Sequence, residues 1–306
     1  MISEQDLTFE TKENIRRAKL LIYKVHEHQI EEVWKRFENA GFKPVLIKGW
    51  AAAQSYPEPS ERTFNDVDLV VAPEEYIRAQ KFVDSLFDSL SDKTAIDLHE
   101  GLRNLDTLPF EDLYERSQII ECGKTPVRIL CPEDHLRVLC VHWLIDGGAK
   151  KDKLWDIYYA VKNRPIDFDW DRCLNSVSKT RQRWIGCAVG LAHKYLDLNV
   201  SDTPFAENAG NIPKWLIEAL EKEWSSDTFI IPIHFVLKDR KVLWQQIKKR
   251  IPPNPIQATV EMEGEFDDSS RIYYQIGDVF WRLTPLFKRI INRLKTKSTN
   301  YSEYKT

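Results

Sequence analysis

Asp66 and Asp68, separated by one valine and followed by Leu69-Val70-Val71, have the clearest capacity for chemistry in this chain. Side chains in a strand alternate between faces, so the two carboxylates project from one face while Val67 and Leu69 enter the other. Like charges held side by side raise each other's pKa, a cost removed when a divalent cation sits between them. The pair alone is not specific, because aspartate is common at strand starts and turns. A third carboxylate, Asp97 in AIDLHEG, lies on another short apolar run. A strand, a helix and a second strand returning Asp97 to the same sheet edge would complete a two-metal site. Such a site can activate a hydroxyl nucleophile and stabilise a leaving pyrophosphate.

Upstream, VLIKGWAAAQSYPEPSERTFN reads as a strand, a turn at Lys48-Gly49, a short helix and a polar loop. Glycine lets backbone N–H groups approach a phosphate, and a helix N-terminus favours anionic charge. Arg62 and Asn65 in the loop before Asp66 fit either phosphate contact or a solvent-facing loop. His99 shares a face with Asp97 by the two-residue period, and reads as a hydrogen-bonded supporting histidine ahead of a ligand or base. Lys153 and Asp156, three apart on a helical stretch, fit a surface pair on spacing alone.

The elements that must position these residues follow from periodicity. Residues 9 to 40 carry apolar positions at three- and four-residue steps and predict a helix ended by Gly41. Strand character appears at 44 to 47, 67 to 71 and 95 to 98, with a helix over 73 to 87 opened by proline and glutamates. IIECGKTPVRIL predicts a hairpin turning at Gly123-Lys124. From Pro132 the periodicity is helical: 132 to 146, 152 to 163, 168 to 179, 182 to 197, 213 to 224 and 229 to 250. This places a domain boundary near Cys131. The stretch 251 to 270, with three prolines and five acids, reads as an extended excursion instead of a helix.

Composition narrows the class. A chain of 306 residues with 42% hydrophobic and 30% charged residues is long enough for two domains and ordinary for a globular protein. A net charge of -3 gives no global attraction to nucleic acid. Five cysteines without a C-x-x-C pair indicate neither a complete disulfide framework nor a zinc knuckle, which points to reduced thiols and a cytoplasmic location. The charged start lacks a secretory apolar region, and no apolar run approaches the ~20 residues of a transmembrane segment. The basic, amphipathic segment 279 to 295 admits weak membrane-surface contact, with a solvated face over an apolar stripe as the plainer reading.

Through LIKGWAAAQSYPEPSERTFNDVDLVV, AIDLHEGL and VLCVHWLIDGGAKKDKLWDIYYAV the chain resembles the DNA-polymerase-β-like nucleotidyltransferase superfamily, and within it a bacterial group of uncharacterised nucleotidyltransferases, over roughly residues 40 to 200. The resemblance implies an α+β fold: a polymerase-β-like mixed sheet with flanking helices over 1–131, then an α-helical domain over 132–306 that covers nucleotide and acceptor. It implies transfer of a nucleoside monophosphate from a nucleoside triphosphate, ATP favoured, to a hydroxyl or phosphate acceptor, with two Mg²⁺ ions as cofactors. The acceptor would be a small molecule or peptide in preference to nucleic acid, as in natural-product modification.

By the same resemblance Asp66 and Asp68 ligate both metals, while Asp97 ligates the catalytic one and helps deprotonate the acceptor. Gly49 lies under the triphosphate, and Lys48 contacts it as a point charge. Trp50 departs from the superfamily's usual serine or glycine, so Lys48, Arg62 or Lys153 would replace the missing hydroxyl. The nucleotide-binding set is then Lys48, Gly49, Trp50, Arg62, Asn65 and Lys153. The alternative that Trp50 opens is a catalytically weak nucleotide-binding or antitoxin-like interaction protein.

Overall fold

Apolar residues recur at helical spacing from Ile30 to Phe37, where Ile30, Val33, Trp34 and Phe37 are buried along the inner face of α1 (Phe9–Asn39). The computed structural model describes residues 9–86, 95–226 and 239–282. Gly41, at φ +77°, turns the chain out of α1 in a backbone conformation that side chains other than glycine rarely adopt. The chain then forms β1 (Val45–Leu46), α2 (Gly49–Ala53), β2 (Asp66–Val71) and α3 (Tyr76–Leu86). It continues through β3 (Ala95–Glu100), α4 (Phe110–Arg116), β4 (Gln118–Cys122) and β5 (Thr125–Ile129).

The five strands form one mixed sheet in the order β3-β2-β1-β5-β4. β2 runs parallel to β3 and antiparallel to β1, while β5 runs parallel to β1 and antiparallel to β4. The β4–β5 hairpin turns at Gly123-Lys124, where its sequence places it. Val67, Leu69 and Val71 enter a core with Ile30, Val33 and Phe37 of α1 and with Ala79 and Val83 of α3. The alternation expected of β2 therefore holds. Its odd-numbered valines and leucine anchor the strand and hand Asp66 and Asp68 to the opposite face.

Helices follow: α5 (Pro132–Ile145), α6 (Leu154–Lys162), α7 (Trp170–Asn175), α8 (Lys179–Leu196), α9 (Lys214–Trp224), α10 (Arg240–Arg250) and α11 (Pro255–Glu261). The part of the expected 229 to 250 helix before 239, and the basic segment beyond 282, lie outside the described residues. The proline-rich stretch departs from expectation. Pro255 opens α11, and the Asn254 side chain accepts from the Ile256 and Gln257 N–H groups. Proline at a helix's first turn costs no hydrogen bond, so the Asn-Pro pair begins a helix there.

The residues group into two compact units, Met1–His142 with Asp152–Asn211 and Trp143–Lys151 with Ile212–Thr306. Within the second, the indole N–H groups of Trp143 and Trp224 donate to the Lys150 and Gly148 carbonyls at 3.0 and 2.8 Å. All five cysteines are free and buried. Among the described residues no helix is long and apolar enough to cross a membrane.

Behind the sheet, α5 carries a charged network with almost no water contact. Arg137 Nε donates to Asp106 at 2.7 Å and its NH2 to Asp134 at 2.6 Å, with all three side chains at 1% exposure or less. Removing the guanidinium leaves Asp106 with the Thr107 and Leu108 N–H groups and Asp134 with Arg116, two buried carboxylates each short of its main charged partner, which is costlier than losing the pair's own attraction. Arg137→Met is expected to lose about 3–5 kcal/mol of stability in urea titrations. Loss below about 1 kcal/mol would show that the network contributes no stability as a charged unit.

Candidate active site

Parallel pairing of β2 with β3 sets Asp68 beside Asp97 and Val70 beside His99. Asp97 and His99, two apart on β3, share the face of Asp68, so two carboxylates and an imidazole converge on one patch of sheet. Lys48, between β1 and α2, reaches into that patch. Its Nζ lies 2.6 Å from Asp68 Oδ1, 3.7 Å from Asp97 Oδ2 and 3.2 Å from His99 Nε2. His99 Nε2 in turn lies 3.1 Å from Asp97 Oδ2 and 3.6 Å from Asp68 Oδ1.

Electrostatics follow from this packing. The His99 hydrogen bond holds the Asp97 carboxyl below the usual carboxylate range; burial opposes that shift, and the charges of His99 and Lys48 add to it. Burial works against a charged His99, but its bonds to Asp68 and Asp97 outweigh it and raise the imidazole above its ordinary value.

The Lys48-Gly49 turn is shaped by Asp68. Lys48 has φ 51° and Gly49 φ 23°, both in the left-handed half of backbone space. A Cβ on Gly49 would stand 3.2 Å from Asp68 Oδ2. Glycine is therefore required by the close approach of the carboxylate as well as by its own backbone angle.

Of the sequence-derived residues, Lys48, Asp68 and Asp97 come together. Asp66 is half-buried at the start of β2 opposite Ala95, and the group of ligand atoms lying within 4.8 Å of one another comprises Asp68, Asp97 and His99 without it. Trp50, expected beside the nucleotide, is buried in the core with Phe64 and Leu69. Its place just inside α2 turns the indole inward. Asn65 is exposed in its loop. His99, which the sequence places as a hydrogen-bonded supporting residue ahead of a ligand or base, lies within hydrogen-bond reach of Asp97 and beside Asp68. The signal for that place was available, because a polar residue two positions after Asp97 on a strand must share its face.

Arg62 also differs from expectation. It is buried, with Nε and NH2 donating to Asp156 at 3.1 and 2.9 Å and NH1 to the Thr63 carbonyl. Tyr56 donates to Asp156 at 2.7 Å, and its ring lies 4.4 Å from that of Tyr159. Arg62 thus fastens α6 to the loop before β2 instead of standing open for phosphate, and burial with the adjacent Asp156 charge pushes the Tyr56 phenol far up. Beside this strut lies a cleft of about 270 Å³ whose walls include Lys19, Arg62, Lys153, Trp155 and Tyr159. Lys153 is half-buried there.

His135 of α5 is buried near the same strut. Burial, with Arg62 adding and Asp156 opposing, lowers its pKa to about 4. The folded value lies below the unfolded one of about 6.5, so the unfolded chain binds the extra proton first. Stability is therefore present above about pH 6.5 and lost towards pH 4, by at most about 1.4 kcal/mol per pH unit. Urea midpoints between pH 4 and 8 are expected to show this slope and to lose it in His135→Phe. An unchanged slope in that variant would assign the effect to other groups.

Comparison with known proteins identifies the family. A model of the uncharacterised nucleotidyltransferase family matches residues 4–197, more than half of the chain. Among solved structures the chain is similar to the crystal structure of an antigenic nucleotidyltransferase-like protein from Paracoccidioides brasiliensis, at 16% identity and TM-score 0.43, over 57% of this chain and 90% of that one. No curated protein is matched. The chain belongs to the uncharacterised nucleotidyltransferase family, and it is a nucleotidyltransferase.

Proposed function

We propose that the chain transfers a nucleoside monophosphate from a nucleoside triphosphate, ATP favoured, to a hydroxyl or phosphate of a small molecule or peptide in the cytoplasm. The observation that carries this reading is the cross-strand pair Asp68 and Asp97 with a cation, the Lys48 ammonium, already between them. A patch that gathers a positive charge between two carboxylates fits divalent metal, and the family resemblance implies two Mg²⁺ ions. Bound there, divalent ions would share the triphosphate's charge and acidify the acceptor hydroxyl.

The chain's own residues supply the rest. Asp68 and Asp97 hold the ions, with Asp66 one step up the same face as the further ligand that the resemblance implies. Asp97, kept ionised by His99, would serve as a metal ligand and, as the resemblance implies, would help deprotonate the acceptor. The acceptor oxygen attacks the α-phosphorus in line, the bond to the bridging oxygen breaks, and pyrophosphate leaves. Lys48 and Lys153 supply positive charge for the triphosphate, and Lys153 is positioned by the Arg62–Asp156 strut that fixes α6. Catalytic groups then lie within 1–131, with the helical part from 132 onward bringing Lys153. Trp50, whose identity opened the non-catalytic alternative, is buried in the core, so the role of the missing hydroxyl falls to Lys48 and Lys153.

Asp97 gives the cleaner test, because its side chain is half-exposed whereas Asp68 is a buried partner of Lys48. Asp97→Asn is expected to cut pyrophosphate release by at least about a hundredfold while keeping cooperative unfolding. Turnover near wild type would remove the carboxylate from the reaction. Asp68→Asn should lose activity and also stability, since it leaves a buried ammonium unpaired. Lys153→Ala is expected to raise the nucleotide KM about tenfold with a smaller change in kcat. An unmoved KM would take the triphosphate away from α6.

A further inference from the structure

We propose that His99 is a metal ligand, so that Asp68, Asp97 and His99 form a two-carboxylate, one-imidazole centre that the Lys48 ammonium vacates when a divalent ion enters, and that the nitrogen donor makes this position take Mn²⁺ in preference to Mg²⁺. The inference rests on the metal-dependent reading above and departs from an all-carboxylate centre.

Geometry supports it first. Two ligands at about 2.1 Å on neighbouring corners of an octahedron are about 3 Å apart. His99 Nε2 already lies 3.1 Å from Asp97 Oδ2 and 3.6 Å from Asp68 Oδ1, and the donor atoms of all three residues lie within 4.8 Å of one another, within reach of one ion once they draw in around it. The ion's place is marked. Lys48 Nζ contacts the same three atoms at 2.6, 3.7 and 3.2 Å, as a single positive charge would at the mouth of a metal site.

Hydrogen-bond accounting supports it next. An imidazole nitrogen carries either one proton or one lone pair. If Nε2 is protonated it can donate to Asp97 but then meets the Lys48 ammonium donor to donor. If it is unprotonated it can accept from Lys48 but then faces the Asp97 oxygen lone pair to lone pair. Without metal, one of the two short contacts is always wrong. A cation in place of the ammonium resolves the conflict, since it takes the Nε2 lone pair and both carboxylate oxygens together.

Lys48 is built to leave. Its backbone sits at φ 51° and ψ -134°, a conformation that persists only where the surroundings impose it. Its ammonium is on a flexible stem, so the charge can swing from the carboxylates to an incoming triphosphate while the backbone stays fixed. The selectivity follows from donor chemistry. Mg²⁺ is a hard ion served by oxygen in near-ideal octahedral geometry; Mn²⁺ is also mainly an oxygen-bound ion, but as a transition metal it tolerates an imidazole nitrogen in its ligand set better.

The test uses the full chain stripped of metal, with Mn²⁺ as the probe and a non-hydrolysable nucleotide present or absent. Free Mn²⁺ is counted by electron paramagnetic resonance, and pulsed spectra report nitrogen coupled to the bound ion. The expected result is Mn²⁺ binding at a concentration about tenfold or more below that at which Mg²⁺ competes. A nitrogen coupling should change isotope when only histidine is ¹⁵N-labelled and should vanish in His99→Ala and in His99→Gln, two variants so that one misfolded protein does not decide the matter. Lys48→Met should bind Mn²⁺ several-fold more tightly than wild type. Bound Mn²⁺ without histidine coupling, or with coupling that survives both variants, overturns the assignment of His99 and leaves the metal-dependent reading standing. Equal or weaker Mn²⁺ binding by Lys48→Met overturns the displacement. Absence of Mn²⁺ binding with and without nucleotide sinks the metal-dependent reading itself.

Discussion

Two carboxylates facing each other across adjacent strands, Asp68 buried and Asp97 half-exposed, repel unless a counter-charge stands between them, and this fold supplies one. The parallel register of β2 and β3 forces Asp68 and Asp97 together. The cation that answers them comes from the chain itself, as Lys48 at 2.6 Å from Asp68. To deliver that ammonium, β1 must end abruptly and the backbone must turn through positive φ at both Lys48 and Gly49. The turn holds because its neighbours are rigid: Trp50, Ala51 and Ala53 of α2 are locked in the core, and so are Val67 and Leu69 of β2. Core packing of this kind tolerates little displacement, so the apolar face of the sheet sets the polar geometry on the other side.

The second constraint is the Arg62–Asp156 pair. It lies 94 residues apart in sequence, and both partners are buried. A buried ion pair gives little net stability, because desolvation offsets its attraction, but losing one partner is expensive. Its value is positional. The bidentate fork and the Tyr56 hydroxyl fix α6 in one orientation against the loop before β2. Lys153, the residue before α6, is thereby held at the cleft that Arg62 also lines. A lysine alone cannot define geometry, yet a lysine on a fixed helix end can be relied on to bring charge to one place.

Much of this was legible in the chain. β2 alternates from Asp66 to Leu69, so its two faces could be assigned, and Gly123-Lys124 between apolar runs identified the β4–β5 hairpin. What was not legible depended on tertiary contact. Spacing cannot say that Arg62 meets Asp156, so a loop arginine read as a phosphate contact proves to be a strut. Trp50 follows a glycine that suggests nucleotide, but the direction of an indole depends on which face of a five-residue helix meets the core. The place of His99 on the face of Asp97 was readable by the two-residue period, but its approach to Asp68 and Lys48 depends on the pairing of β2 with β3 and on the turn after β1. The proline-rich stretch misled because three prolines suggest extension, whereas Asn254 and Pro255 are a helix cap and its first residue.

A site that carries its own cation separates folding from function. In a centre made of carboxylates alone, repulsion destabilises the metal-free chain, and metal binding adds directly to folding stability. Here the Lys48 ammonium already stands between Asp68 and Asp97, so the metal-free state has less carboxylate repulsion to relieve. An incoming ion gains its own ligand bonds but must displace an ammonium already paired with Asp68. Its net affinity is reduced by the strength of that pair, in the way any resident competitor reduces affinity. The triphosphate changes the balance, because it offers the displaced ammonium a new anion and brings oxygen ligands for the metal. Metal and nucleotide are then expected to bind with positive coupling, each lowering the cost of the other's entry, and the coupling originates in the one lysine that both must move.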